Sequence, residues 1–120
     1  MSGQERVKLV NILVSLLNIT RNEARIFLCL IEKGKCGIPR ICSELELDVS
    51  LVTLALDSLI DHGMIFDLPG TEFQSFHPRF SVANCHRMNC QRLGIEVKMN
   101  SKIDALGTML ENYYEFARPK

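Results

Sequence analysis

From Gln4 to Leu17 the apolar positions recur with helical spacing. Val7, Val10, Val14 and Leu17 share one face, and Leu9, Ile12, Leu13 and Leu16 widen the stripe, which predicts a helix covered on more than one side. A second helix follows from Thr20, where Thr20 and Glu23 have the spacing of a capping box. Its apolar face is Ala24, Phe27, Leu28 and Ile31, and Gly34 supplies the stop. Ile38, Ile41, Cys42 and Leu45 stand at i, i+3, i+4 and i+7, with Pro39 tolerated in the first turn. After a short break a further helix is predicted from Asp48, a side chain suited to cap free amides, to His62, with Gly63 ending it. Val52, Ala55, Leu56, Leu59 and Ile60 form its inward set.

The period then changes. "MIFDL" and "FQSFH" read as strands around the turn "PGTE", and the differing parity of Phe73 and Phe76 predicts a bulge in that hairpin. Beyond Pro78 a helix is expected from about Ser81 to Gly94. In the last segment Met99, Ile103, Leu106, Leu110, Tyr113 and Ala117 alternate in steps of three and four, the spacing of a paired-helix seam. Gly107 within it weakens the helix or lets two helices approach closely. This pattern divides the chain into residues 1–94, a helical domain with a hairpin, and 95–120, a dimerisation helix.

Charge changes the picture more than composition does. The chain carries 14 basic and 14 acidic side chains, so any nucleic-acid site must be a local patch rather than a global field. Five cysteines, an odd number, argue against a disulfide framework and for a reducing compartment. "MSGQERVK" lacks the apolar core of a targeting segment, and the apolar runs are too short to span a bilayer, so a cytoplasmic chain without a membrane partner is expected.

Catalytic chemistry finds little support. No glycine-rich phosphate cradle, nucleophile elbow or carboxylate pair with a nearby base is present, which makes a non-enzyme without cofactor the expectation. In "NCHRMNC", His86 and Cys90 fall one helical turn apart while Cys85 points elsewhere, so the three do not make one metal site without unwinding. Cys29 and Cys42 lie on apolar faces and read as small buried hydrophobes. His62 suits a helix C-terminus.

Three helices, a tight turn between the second and third, and a small hairpin give the winged helix-turn-helix order, a mainly α (α+β) fold with extra N- and C-terminal helices. More specifically, Ile19, Thr20, Glu23 and Ala24, then Leu59, His62, Gly63 and Met64, then Phe76 and Pro78 resemble the signature positions of TrmB-type archaeal transcriptional regulators. The resemblance covers roughly residues 19–78 and implies a homodimer on palindromic double-stranded DNA. On such DNA Val49, Ser50 and Thr53 are the residues expected at the major groove, and the exposed-helix and wing positions offer Arg40, His77 and Arg79 for phosphates, with Arg21, Arg25 and Arg87 as further suppliers of charge. The helix expected to read DNA contains no Lys or Arg, however, and carries Asp48 and Asp57. Its ridge of Val49, Leu51 and Leu54 supports a second expectation, a winged-helix adaptor that docks on a protein within a transcription or nucleoprotein assembly. A third is that Leu51 or Leu54 is covered by the N-terminal helix.

Overall fold

The computed structural model describes Met1–Arg118. Its chain order is α1 (Gly3–Leu17), α2 (Arg21–Lys33), β1 (Cys36–Gly37), α3 (Ile38–Leu45), α4 (Val49–Asp61), β2 (Ile65–Leu68), β3 (Glu72–Ser75), α5 (Pro78–Leu93) and α6 (Ser101–Phe116). The fold is mainly helical with a small antiparallel sheet, in the α+β class.

Helix α2 sits at the centre. Thr20 Oγ1 accepts from the Glu23 amide at 3.1 Å while the Thr20 amide donates to Glu23 Oε1 at 2.7 Å, the expected capping box. Ile26, Cys29 and Leu30 are buried along with the expected Ala24, Phe27, Leu28 and Ile31, because α1, α3, α4 and α6 surround the helix. Helix α1 shows the reverse. Leu9, Val10, Leu13 and Leu17 are buried, but Val7 is exposed and Ile12, Val14 and Leu16 are only half-buried, so the broad stripe is covered on one side alone.

The three strands pair in the order β1-β3-β2. Strand β1 is two residues long, too short for any periodicity, and was not expected. The hairpin has the continuous register Ile65↔Ser75, Phe66↔Gln74, Asp67↔Phe73, Leu68↔Glu72, which corrects the expected bulge. Phe76 lies beyond the strand instead, packed between Phe66 (tilted, centroids 4.8 Å apart) and Phe80 (edge to face, 5.1 Å). Helix α5 starts at Pro78 rather than near Ser81, since proline fits the first turn and His77 Nδ1 accepts from the Arg79 amide at 3.2 Å.

The larger correction concerns α6. Ile103, Leu106 and Leu110, assigned to a dimer seam, are buried in this chain's own core, chiefly against α5 and also against α2 and α1. They join the same hydrophobic cluster as residues of α1 to α5, so residues on both sides of position 95 share one core. Met99 precedes the helix and is exposed, Tyr113 donates through its hydroxyl to Glu5 of α1, and Ala117 is the half-buried C-cap. Steps of three and four mark any buried helical face; they do not say whose side chains cover it. Among the described residues no helix is long and apolar enough to cross a membrane.

Candidate functional site on α4

Helices α3 and α4 are joined by a turn built from local hydrogen bonds. Glu46 takes the left-handed conformation (φ 55°), the Leu47 amide donates to the Cys42 carbonyl at 3.2 Å, and Asp48 Oδ1 accepts from the Leu51 amide at 2.9 Å. Arg25 of α2 donates to the Leu45 carbonyl at 2.9 Å and so ties the end of α3 to the central helix. The cap fixes where α4 starts and therefore which side chains turn outward.

Val52, Ala55, Leu56 and Leu59 are buried. On the opposite side Val49 is 61% exposed, Leu51 43% and Leu54 70%, with Ser50, Thr53 and Asp57 also exposed. This overturns the expectation that Leu51 or Leu54 is covered by the N-terminal helix. Leu51 and Leu54 border an apolar groove of about 370 Å³, completed by Ala55 and Ser58 and by Thr20, Asn22 and Glu23 at the start of α2. The α2 half of that groove was not anticipated, because nothing in the spacing of Thr20 and Glu23 shows which later helix lies over their cap.

The charges assigned to phosphate binding do not gather here. His77 and Arg79 point to α6 instead: Arg79 pairs with Glu111 at 3.2 Å and His77 Nε2 approaches Glu111 at 3.4 Å. Arg21 donates to Asn11 (3.0 Å), Arg87 to Asn84 (2.6 Å), and Arg25 to the carbonyl already described. Of the six proposed donors, Arg40 alone makes no hydrogen bond or ion pair among the described residues, and it is exposed on α3. On α4 the exposed charges are Asp57 and Asp61, both negative.

Other side-chain clusters lie elsewhere among the described residues. His77, Glu111 and Glu115 bring ligand-type atoms within 4.8 Å of one another. Two of these groups are already engaged, because Arg79 balances Glu111 and His77 Nδ1 caps α5, which leaves the proton on the Nε2 that a metal would need. The Cys36 thiol is held below the ordinary thiol range, first by a hydrogen bond from Cys29, with Arg40 assisting against burial. His86 Nε2 and Cys90 Sγ stand 3.8 Å apart, while Cys85 is buried and directed at the Leu17 carbonyl. His62 is the C-cap of α4, its Nδ1 donating to the Ser58 carbonyl at 2.7 Å.

No family model, curated protein or solved structure matches this chain.

Proposed function

We propose that this chain is a winged helix-turn-helix adaptor that docks on another protein through the exposed face of α4, as a part of a transcription or other nucleoprotein assembly. The carrying observation is Leu54, 70% exposed on the face of α4 opposite its buried row, beside the apolar groove that Leu51 also borders. A side chain of that size gains about 1.5–3 kcal/mol when a partner removes it from water, the kind of anchor that dominates protein interfaces. Acidic Asp57 and Asp61 on the same helix disfavour a phosphate backbone and suit a partner with a cationic rim.

A second reading, a dimeric winged helix-turn-helix regulator of transcription on duplex DNA, is favoured by a separate observation. Arg40 is exposed with no hydrogen-bond or ion-pair partner among the described residues, and Ser50 and Thr53 are exposed in the first two turns of α4. In that reading Arg40 holds phosphate while Ser50, Thr53 and the apolar Val49 meet base edges.

The two readings separate in one pair of measurements. Selection of displayed amphipathic helical peptides against the immobilised chain is expected to yield binders that Leu54→Asp abolishes. Mixed-sequence duplex DNA titrated at about 50 and 200 mM salt is expected to show no saturable binding. Saturable DNA binding with a steep salt slope, made shallower by about one by Arg40→Ala, would establish the second reading in place of the first.

A further inference from the structure

Between α5 and α6 the chain runs through Ile95–Met99 outside any helix or strand. Apolar and charged residues alternate there. Ile95 is 56% exposed, Val97 46% and Met99 95%, and Glu96 and Lys98 between them are exposed as well. The ends of the segment are fixed. Gly94 closes α5 in the left-handed conformation, with the Ile95 amide donating to the Cys90 carbonyl at 2.9 Å. At the other end Asn100 Oδ1 accepts from the Lys102 amide at 2.9 Å and caps α6. From Glu96 to Met99 no backbone group bonds to another backbone group among the described residues. An anchored segment with strand-type alternation and free donors and acceptors is a template for one more strand.

The order of charges selects that strand. Glu96 and Lys98 flank Val97 symmetrically, so the segment is complementary to its own reverse. We propose that Ile95–Met99 pairs with the same segment of a second copy of this chain, as an antiparallel ribbon whose two-fold axis passes between the two Val97 residues. In this register each Glu96 lies opposite a Lys98 on one face, while Ile95 meets Met99 and Val97 meets Val97 on the other. A parallel arrangement sets Glu96 against Glu96 and Lys98 against Lys98, and a one-residue slip removes both ion pairs and mixes apolar with charged neighbours.

A ribbon this short falls below the roughly 1,200 Å² that a stable interface buries. The next apolar surface along the chain adds to it: Ala105 and Met109 of α6, with Ile12 and Leu16 of α1, line an open groove of about 440 Å³. This pairing replaces the seam expected on the inner face of α6, whose residues are consumed by the core. It does not rest on the docking role of α4, which uses other residues.

Sedimentation of the full chain over a concentration series tests the proposal. A reversible dimer is expected, and Lys98→Glu or Glu96→Lys alone, each creating two like-charge contacts, is expected to weaken it by about tenfold. The combined Glu96→Lys/Lys98→Glu variant restores wild-type dimerisation, because the reversed charges again face each other. Both sites are exposed, and unchanged circular dichroism confirms that the variants fold. In a second arm glutathione disulfide oxidises Val97→Cys across the two-fold axis, two thiols giving one interchain disulfide and two glutathione thiols, while the wild-type chain with its native cysteines stays uncrosslinked. A monomer at every concentration up to about 1 mM overturns the proposal. So does a dimer that the single reversals leave untouched or that the double reversal fails to restore.

Discussion

Helices α4 and α6 each bury one apolar row, and they differ in what they leave over. The inner row of α6, Ile103, Leu106 and Leu110, disappears beneath α5, α2 and α1, and Gly107 in the same row lets the backbone of α5 come close. Helix α4 buries Val52, Ala55, Leu56 and Leu59 and still presents Val49, Leu51 and Leu54 to solvent. The inner stripe on α6 is accounted for by folding, whereas the second stripe on α4 remains exposed to solvent. An apolar face that the fold does not consume is where a partner is to be sought.

Charging the buried row on α6 has the largest expected effect. Leu106→Asp places a carboxylate where no water reaches and deletes a buried side chain, an expected loss of about 4 kcal/mol or more, comparable to the whole stability of a domain this size. The variant is expected to lose cooperative thermal unfolding by circular dichroism. A folded variant with an unchanged melting temperature would mean that α6 is not part of the core.

A smaller effect probes the same core through Cys85 of α5. Burial, reinforced by the nearby Glu23 carboxylate, pushes its thiol from the ordinary 9.0 up to about 12. In the folded chain the proton is retained where the unfolded chain releases it. The stabilising contribution is therefore complete below about pH 9 and is lost as the pH rises from there towards about 12, at about 1.4 kcal/mol per pH unit. Chemical denaturation at about pH 8 and about pH 10 is expected to show a drop in the wild type that Cys85→Ala reduces, and equal drops in both chains would remove the assignment.

Much of this architecture was legible in the spacing of residues. The capping box at Thr20, the stop at Gly34, the cap at Asp48 and the hairpin around Gly70 all depend on side chains or backbone freedom within a few positions, and each is found where local chemistry puts it. What was not legible depends on which element covers which. The seam on α6 was a true apolar face given the wrong neighbour. Arg79 and His77 were true polar surface groups whose partner, Glu111, lies far along the chain on α6. Strand β1 is created by its pairing with β3, through Cys36↔Phe73 and Gly37↔Glu72, and has no period of its own. The alternation of Ile95, Val97 and Met99 was visible throughout, but only its lack of a cover in the fold gives it meaning.

Gly107 tests the close approach of α5 and α6, with an effect of intermediate size. A Cβ built there lies 3.0 Å from Arg79 Cα and 3.0 Å from Arg79 Cγ, so the contact is with the backbone of α5 as well as a flexible side chain. Gly107→Ala gains about 1 kcal/mol of helix propensity and meets overpacking of about 1–3 kcal/mol, for a net destabilisation of about 1 kcal/mol. The melting temperature is expected to fall by a few degrees. A rise would mean that α5 and α6 stand further apart and that the close approach belongs to some other pair of helices.

The smallest effect on stability belongs to the residue given the largest effect on binding. Leu54 touches the groove but not the core, so Leu54→Asp is expected to shift the free energy of unfolding by no more than about 0.5 kcal/mol, while Leu56→Asp on the buried side of the same helix unfolds the chain. Two residues apart on one helix, the same substitution then acts on different properties. Chemical denaturation of both variants, beside a binding assay with a selected peptide, reads the two properties independently. If Leu54→Asp were to destabilise the fold as Leu56→Asp does, the outer face of α4 would belong to the core and the docking role would have no surface to act through. If it left both stability and peptide binding unchanged, α4 would be exposed without being used, and Arg40 with Ser50 and Thr53 would be the next place to search for a partner.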